Sequence, residues 1–392
     1  MSRILIFTGK GGVGKTSIAA AHARKSSLEG QRTLLVSTDM AHNLSDLLQH
    51  PLGKSIVTVA KNLDALEIDP GHMMDHEFKD MKQAILNMMS TSLLSTPGLN
   101  QLSILPGMDE LFSLLKILEL YEKGIYDRII VDCAPTGETL ALLKFPELLS
   151  WYMEKFLPVG KVALRVLSPL SKAIYKIELP NKAAISDIER LFMKLISLQE
   201  LLKNEKVTSV RIVAMPEKMV LEETKRNYMY MHLYNFHVDG LYLNRILPKD
   251  LDNAFFNEWI QLQQAYMDEY EMVFGEIPIY KIPWFDTDLN GFMGIDQIVK
   301  GPLALDTLFD LQPRFESEIY EKVSGGYILR LRLPFVEKAD LNLHESHTDL
   351  IIKIGNFKRS IPKPSALRHC EISIASLDDG SLTIHLNEKL NA

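Results

Sequence analysis

The sequence predicts an α/β fold, in which a doubly wound, mostly parallel sheet is followed by a small antiparallel β-sandwich. Short apolar runs alternate with helical patterns up to about residue 282, which is typical of a parallel sheet covered by helices on both faces. A glycine-rich loop joins the first apolar run to the first helical pattern. From about Tyr327 the pattern changes to short segments of alternating hydrophobicity, which indicates antiparallel β structure.

The first domain begins with a predicted strand at Ile4–Phe7 and a predicted helix from Ser17 to Glu29, which ends before Gly30. Further strands are predicted at Arg32–Thr38, Leu63–Ile68, Leu102–Leu105, Asp127–Asp132, Ser209–Ala214, Val238–Leu243 and Ile277–Ile282. Because ligands of doubly wound folds bind at the carboxyl ends of the strands, we expect the functional side chains there.

Residues 72–122 and 144–208 have a helical pattern and are rich in Met and Leu, so they predict one helical subdomain at the edge of the sheet. Most of these apolar residues are expected to pack against each other. Met-rich surfaces also accommodate varied apolar partners, so a binding role for some of them stays open.

The sandwich is predicted from segments that alternate apolar and polar residues, namely Tyr327–Leu333, Leu341–His344, Asp349–Ile354, Glu371–Ala375 and Ser381–Leu386. Ser324–Gly326 precedes them and is expected to form a hinge. These patterns predict a first domain at residues 1–318 and a second at residues 327–392.

Composition excludes several classes of protein. The 392 residues carry a formal net charge of −7, which gives no electrostatic support to nucleic-acid binding. The two cysteines, Cys133 and Cys370, are too few for a disulfide framework or a thiolate-rich zinc site. No apolar run is long enough to cross a bilayer. We expect a soluble, cytoplasmic protein, with an organelle lumen reached by a presequence as the alternative compartment.

The loop between the first strand and helix fits the phosphate-loop pattern G-x-x-x-x-G-K-[ST]. The predicted nucleotide-binding residues are Gly9, Lys10, Gly11, Gly12, Val13, Gly14, Lys15, Thr16 and Ser17. Glycines let the backbone wrap around a polyphosphate, and the helix N-terminus favours the anion. Lys15 would neutralise the β- and γ-phosphates, and the Thr16 hydroxyl would bind Mg²⁺.

Two aspartates follow predicted strands and are candidates for phosphate chemistry. Asp39 can face the γ-phosphate and orient the attacking water, although an aspartate there also suits a helix N-cap. Asp132 ends an apolar strand beside the phosphate loop, the pattern of the acid that holds Mg²⁺ in such ATPases, usually through water.

These motifs together resemble the ArsA family, which includes the arsenite-pump ATPase and the targeting ATPase for tail-anchored membrane proteins. Lys10 marks the deviant form of the phosphate loop. The resemblance continues through Asp39–Asp46, Pro106–Glu110 and Asp132–Thr139, and extends to about Gly291.

The resemblance implies roles for individual residues. Asp39 is implied to be the catalytic acid that orients water, with Lys15 and Lys10 at the phosphates and Asp132 at the magnesium. Glu217 and Asn244 would contact the nucleoside, and the loop with Pro283 and Trp284 would lie beside the adenine. Lys10 would reach the nucleotide of a second copy, which implies a homodimer whose closure depends on ATP.

Three features depart from the family pattern. Met40 stands where proline is usual, and Cys133 stands where threonine is common. No Cys-x-x-Cys follows Asn244, so we expect neither the interface zinc of the eukaryotic targeting factor nor the three-thiol metalloid site that arsenite activation needs.

Leu333–Asp340 and the strands after it resemble the small heat-shock, or α-crystallin, sandwich, which a subset of ArsA-like proteins carries. We therefore expect an ATP-driven dimeric switch that binds apolar polypeptide segments in a chaperone or targeting role, with a membrane-associated receptor as a further partner. Two alternatives stay open: an arsenite or antimonite efflux ATPase, and a nucleotide-binding regulator without useful turnover.

Overall fold

A computed structural model describes most of both predicted domains. The described residues are 2–39, 43–69, 108–133, 187–251, 253–312, 318–346, 349–355, 357–363, 367 and 369–388. The predicted α/β fold with a mostly parallel sheet is confirmed, and so is the antiparallel β structure after it.

The first domain contains a sheet of eight strands in the order β3-β4-β2-β5-β1-β6-β7-β8. The strands are β1 (Arg3–Thr8), β2 (Thr33–Ser37), β3 (Val57–Ala60), β4 (Leu63–Glu67), β5 (Arg128–Asp132), β6 (Thr208–Ala214), β7 (Val238–Ile246) and β8 (Ile279–Pro283). All neighbours pair in parallel except β3, which is antiparallel to β4 at the sheet edge. β3, whose residues are mostly half-buried, was not predicted, although Val57 and Val59 favour a strand.

Seven helices lie between the strands of the described residues. They are α1 (Lys15–Leu28), α2 (Asn43–Leu48), α3 (Met108–Glu122), α4 (Asp187–Lys203), α5 (Lys218–Leu233), α6 (Ala254–Phe274) and α7 (Gly291–Lys300). The central strands β1, β2 and β5 are almost wholly buried. Since β1 lies between β5 and β6, the loop after it opens at the centre of the sheet's carboxyl edge.

The two predicted helical regions are described only in part. α3 and α4 pack against each other, and Leu111, Phe112 and Leu115 of α3 are buried in the common core. α4 ends at Lys203, and Thr208 already begins β6, so the second helical region ends earlier than predicted. Residues 72–107 and 144–186, and the strand expected at Leu102–Leu105, lie outside the described residues.

The C-terminal sandwich consists of a four-stranded sheet, β14-β15-β10-β9, and a three-stranded sheet, β11-β12-β13. Its strands are β9 (Glu318–Val323), β10 (Gly326–Arg332), β11 (Leu341–Glu345), β12 (Asp349–Ile354), β13 (Phe357–Pro362), β14 (Cys370–Asp378) and β15 (Ser381–Glu388). β9 and β13 were not predicted. The hinge expected at Ser324–Gly326 is wrong, since Ser324 and Gly325 form the turn of the β9–β10 hairpin.

The sandwich packs on the C-terminal ends of α5 and α6. The Phe335 ring lies 6.3 Å from the Tyr228 ring and 5.8 Å from the Phe274 ring. The Arg359 guanidinium donates a hydrogen bond to the Leu233 carbonyl, and the Tyr234 hydroxyl donates to the Lys358 carbonyl over 3.1 Å. Both main-chain and aromatic contacts therefore join the two domains.

Candidate functional site

The loop between β1 and α1 depends on glycine at two positions. Gly9 and Gly14 have φ angles of 151° and 92°. A Cβ atom would lie 2.1 Å from the Val213 carbonyl oxygen at Gly9, and 2.3 Å from Asn244 Nδ2 at Gly14. β6 and β7 thus pack against the loop from behind. A side chain at Gly9 would meet backbone, whereas one at Gly14 would have to displace the Asn244 amide.

The first turn of α1 faces the space in front of this loop. Gly14 is the N-cap of the helix and, having no side chain, makes no side-chain hydrogen bond to the first turn. Lys15 is buried, and its Nζ atom donates to the Lys10 carbonyl over 3.2 Å. The positive helix end and the Lys15 ammonium therefore favour an anion at the same place.

Three polar residues form a row across the carboxyl ends of β4, β2 and β5. Glu67 pairs in register with Ser37, and Ser37 pairs with Asp132. The Ser37 hydroxyl lies 3.4 Å from Asp132 Oδ2, to which it donates, and it accepts from the Asp39 N–H over 3.2 Å. One serine thus contacts both aspartates predicted from the sequence.

The Asp132 carboxyl is buried and its pKa is raised to about 6, mainly because burial disfavours the charged form. The Thr16 hydroxyl and the Lys15 charge oppose this shift, and the nearby Asp39 charge adds to it. Its Oδ1 atom is buried and has no hydrogen-bond partner among the described residues.

A hydroxyl and a buried carboxylate oxygen are ligands that Mg²⁺ accepts, directly or through water. Thr16 and Asp132 therefore fit the ion that the phosphate-loop pattern implies. In the described part of the chain, no three His, Cys, Asp or Glu side chains cluster as a further metal site. The expected absence of zinc stays a prediction.

The predicted nucleoside contacts lie along the same sheet edge, at the ends of β6, β7 and β8. The Asn244 amide is buried and donates to the Val13 carbonyl over 2.9 Å, which ties the phosphate loop to β7. Pro283 ends β8, and the Trp284 N–H donates to the Ile246 carbonyl while its side chain is 55% exposed. Glu217 is exposed at the start of α5.

Lys10 points away from the loop toward α5 of its own chain. Its Nζ atom lies 4.0 Å from Glu223 Oε2, and both side chains are partly exposed. The predicted contact of Lys10 with the nucleotide of a second copy is thus a proposal that the single chain does not test.

Sequence reasoning missed Ser37, Ser45 and Glu67. The Ser45 N–H and hydroxyl both donate to the Glu67 carboxylate, over 2.9 and 2.7 Å. The available signal was a polar residue at the last position of a strand, directly after at least two apolar residues, which Ser37, Glu67 and Asp132 share. Only Asp132 also belonged to a recognisable motif.

Comparison with known proteins provides evidence on the family of this chain that is independent of the geometry. A sequence profile for anion-transporting ATPases of the ArsA type matches residues 2–301. The chain belongs to the ArsA ATPase family. A second profile, for the HSP20-like domain found in ArsA, matches residues 324–386, which contain most of the sandwich.

Relatives of this ArsA-family chain cover its whole length or the ATPase domain. A protein of Chlorobaculum tepidum, named "Putative arsenical pump-driving ATPase", is 35% identical over 97% of this chain and 95% of its own length. A protein of Aquifex aeolicus with the same name and the suffix 1 is 30% identical over 98% of this chain and 100% of its own length. "ATPase ASNA1 homolog 1" of Paramecium tetraurelia is 28% identical over 74% of this chain and 88% of its own length.

The chain is therefore an ATPase of the ArsA family, as predicted. Among its described helices, none is both long enough and apolar enough to cross a lipid bilayer.

Proposed function

We propose that the chain is a Mg²⁺-dependent ATPase that works in the cytoplasm as a homodimeric, nucleotide-driven switch for apolar polypeptide segments. The catalytic part rests on Asp132 Oδ1, which is buried near Thr16 at the phosphate loop and has no hydrogen-bond partner among the residues that the structure describes. A buried carboxylate oxygen without a partner is costly unless a ligand satisfies it.

The positions of the residues support their proposed roles. Lys15 and the first turn of α1 bind the phosphates, and Thr16 and Asp132 hold Mg²⁺, which supplies charge neutralisation when bound. Asp39 lies beyond the end of β2, close enough to Asp132 to influence its pKa. A half-buried carboxylate there suits the acid that orients the attacking water.

The nucleoside would lie over the ends of β7 and β8, between Asn244, Glu217 and the exposed Trp284 ring with Pro283. The exposed aromatic face offers apolar area for a base. Lys10 is only weakly paired with Glu223. A phosphate of the nucleotide bound to a second copy can therefore replace Glu223 as its partner with little loss of free energy. These features support the proposed ATP-dependent homodimer.

Two findings support the proposal of apolar polypeptide clients. One is the HSP20-like domain, and the other is the relative named after ASNA1. The Met-rich residues that suggest a client surface lie mainly outside the described residues. A membrane-associated receptor is a further proposed partner, on the family resemblance alone.

An arsenite or antimonite efflux ATPase is the second candidate, because two of the relatives carry the name of an arsenical pump-driving ATPase. The two cysteines of the chain oppose it. Both are buried, Cys133 after β5 and Cys370 in the sandwich, so they cannot supply a three-thiol site. A regulator without turnover is less favoured, since a pure binder has no need of Asp39.

The test is steady-state ATP hydrolysis by the wild type and by Asp39→Asn, with nucleotide affinity measured in parallel. We expect Asp39→Asn to keep its affinity and to lose about 100-fold in turnover, the magnitude of a lost general base. Unchanged turnover would remove Asp39 from this role. Antimonite should leave the wild-type rate unchanged, and clear activation would favour the efflux function.

The switch is tested separately. Asp39→Asn with Mg²⁺-ATP should form dimers in light scattering, with or without a zinc chelator, and should retain a fluorescent apolar peptide of about 20 residues. Monomers under all nucleotide conditions, or no peptide retention, would contradict the dimeric switch without affecting the ATPase assignment.

A further inference from the structure

The chain around Asp39 is held from the sheet on both sides. On one side, the Asp39 N–H donates to the Ser37 hydroxyl, at the end of β2. On the other side, α2 is attached through Ser45 to Glu67, at the end of β4. Residues 40–42 between these attachments lie outside the described residues.

The contact between Glu67 and Ser45 uses both carboxylate oxygens. Oε1 accepts the Ser45 N–H over 2.9 Å, and Oε2 accepts the Ser45 hydroxyl over 2.7 Å. Ser45 lies in the first turn of α2, where backbone N–H groups have no partner within the helix. Glu67 is only 5% exposed, so this contact forms largely away from water.

Anchoring α2 to the domain does not by itself require a carboxylate. Leu44 and Leu48 are already buried in the core on the same helix. Burying a carboxylate costs free energy unless its hydrogen bonds are complete, and two directed bonds set a position more narrowly than apolar packing does. Glu67 is also close to the site through the sheet, because it pairs in register with Ser37, which pairs in register with Asp132.

We propose that Glu67 is a positioning residue for ATP hydrolysis, which acts through Ser45 to set where Asp39 stands relative to the γ-phosphate. This inference rests on the proposed role of Asp39 and deepens it. The physical reason is that a displacement of about 1 Å at a group that orients a reactant lowers the rate strongly, while nucleotide affinity depends on other contacts.

The first test compares kcat and KM for Mg²⁺-ATP in matched variants. Ser45→Ala removes the hydroxyl bond, and Glu67→Asp withdraws the carboxylate by one methylene while keeping its charge. We expect either change to lower kcat about tenfold and to alter KM less than twofold. Ser45→Thr keeps the hydroxyl and should recover most of the loss.

The matched control is Thr58→Val. The Thr58 hydroxyl also donates to a carboxylate on β4, that of Asp64 over 2.6 Å, but at an exposed place away from the phosphate loop. Its kcat should equal that of the wild type. An unchanged kcat in Ser45→Ala, or an equal loss in kcat and nucleotide affinity, would overturn the positioning role.

The second test separates positioning from general loosening of the fold. If Ser45 acts through Asp39, adding Ser45→Ala to Asp39→Asn should lower the single-turnover rate less than twofold further, whereas independent effects would multiply. A full further tenfold loss would overturn the proposal. If Asp39→Asn alone kept wild-type turnover, the role of Asp39 would fail first; if it lost turnover while Ser45→Ala did not, only the positioning role would fail.

Discussion

Single residues of the phosphate loop differ in why they must be glycine. At Gly9 a Cβ atom would meet the Val213 carbonyl oxygen at 2.1 Å, and this backbone atom belongs to the buried strand β6. At Gly12 a Cβ atom would meet nothing within 4 Å, although φ is 81°. Gly9 is therefore required because a side chain would clash with the sheet, whereas Gly12 is required only because of its positive φ.

This difference predicts unequal effects on folding. Gly9→Ala should lower the free energy of unfolding by about 4 kcal/mol or more, because the clash is with backbone that cannot move aside. Gly12→Ala should cost about 1–2 kcal/mol, the cost of a positive φ for alanine. Thermal or urea unfolding of both variants measures this, and equal destabilisation would contradict the distinction.

The raised pKa of Asp132 predicts how stability depends on pH in the absence of nucleotide and Mg²⁺. Burial raises its pKa to about 6 in the folded protein, above the usual value of 3.8, so the folded state binds the proton more tightly than the unfolded state. The contribution of Asp132 to stability is therefore smallest above pH 7 and rises as the pH falls through 6.

Asp132→Asn mimics the protonated form and should be more stable than the wild type at pH 8. This advantage should shrink as the pH is lowered to 5. Melting temperatures of both proteins between pH 5 and 8 test this, and a constant difference would show that Asp132 does not titrate in that range.

At the scale of elements, the phosphate loop is supported by a strand that is distant in sequence. The Asn244 amide of β7 donates to the Val13 carbonyl, 231 positions away along the chain. Because the amide is buried, it has no water to replace this partner. The end of β7 thus stabilises the loop conformation in addition to any contact with the nucleoside.

Asn244→Ala should lower nucleotide affinity about tenfold and the free energy of unfolding by about 1–2 kcal/mol. The matched control is Asn253→Ala, which removes the 2.9 Å N-cap bond to the Phe255 N–H of α6. The control should cost about 1 kcal/mol of stability and leave nucleotide affinity unchanged. Isothermal titration measures the nucleotide affinity of each variant, and thermal unfolding measures its stability. If Asn244→Ala bound nucleotide as tightly as Asn253→Ala, the supporting role of Asn244 would be contradicted.

At the scale of the whole molecule, the sandwich is fixed to the ATPase domain by a buried charge. Arg359 forms an ion pair with Glu318 within the sandwich and also donates to the Leu233 carbonyl at the end of α5. Burial raises the pKa of Glu318, but the Arg359 charge outweighs this effect and holds the pKa below its usual value. Both charges are nearly excluded from water, so loss of either partner would cost substantial free energy of folding.

Arg359→Leu should therefore lower the free energy of unfolding by about 3 kcal/mol, because the buried Glu318 carboxylate loses its ion-pair partner. Arg330 is the matched control, since it pairs with Glu321 over 2.8 Å on the same sandwich but both side chains are exposed. Arg330→Leu should cost less than about 1 kcal/mol. Similar losses in chemical unfolding of the two variants would contradict the importance of the buried pair.

Sequence alone determined the features that depend on neighbouring residues. The phosphate loop, the buried strands β2 and β5, and the change to alternating strands after the ATPase domain are all visible in local patterns of apolar residues and glycine. β9 escaped prediction because it is a half-exposed edge strand that carries three charged residues, whereas β3 was missed although its valines favour a strand. The glycines of Ser324–Gly326 suit a hairpin turn as well as a hinge.

Only the tertiary structure decided which residues meet across strands. Ser37 lies 95 positions from Asp132 in the chain, and Ser45 lies 22 positions from Glu67, yet hydrogen bonds join both pairs. Arg359 looks like any surface arginine in the sequence, and its burial follows from how the sandwich packs on α5. Strand register and domain packing depend on the simultaneous burial of many residues that are distant in sequence. A local sequence pattern does not contain this information.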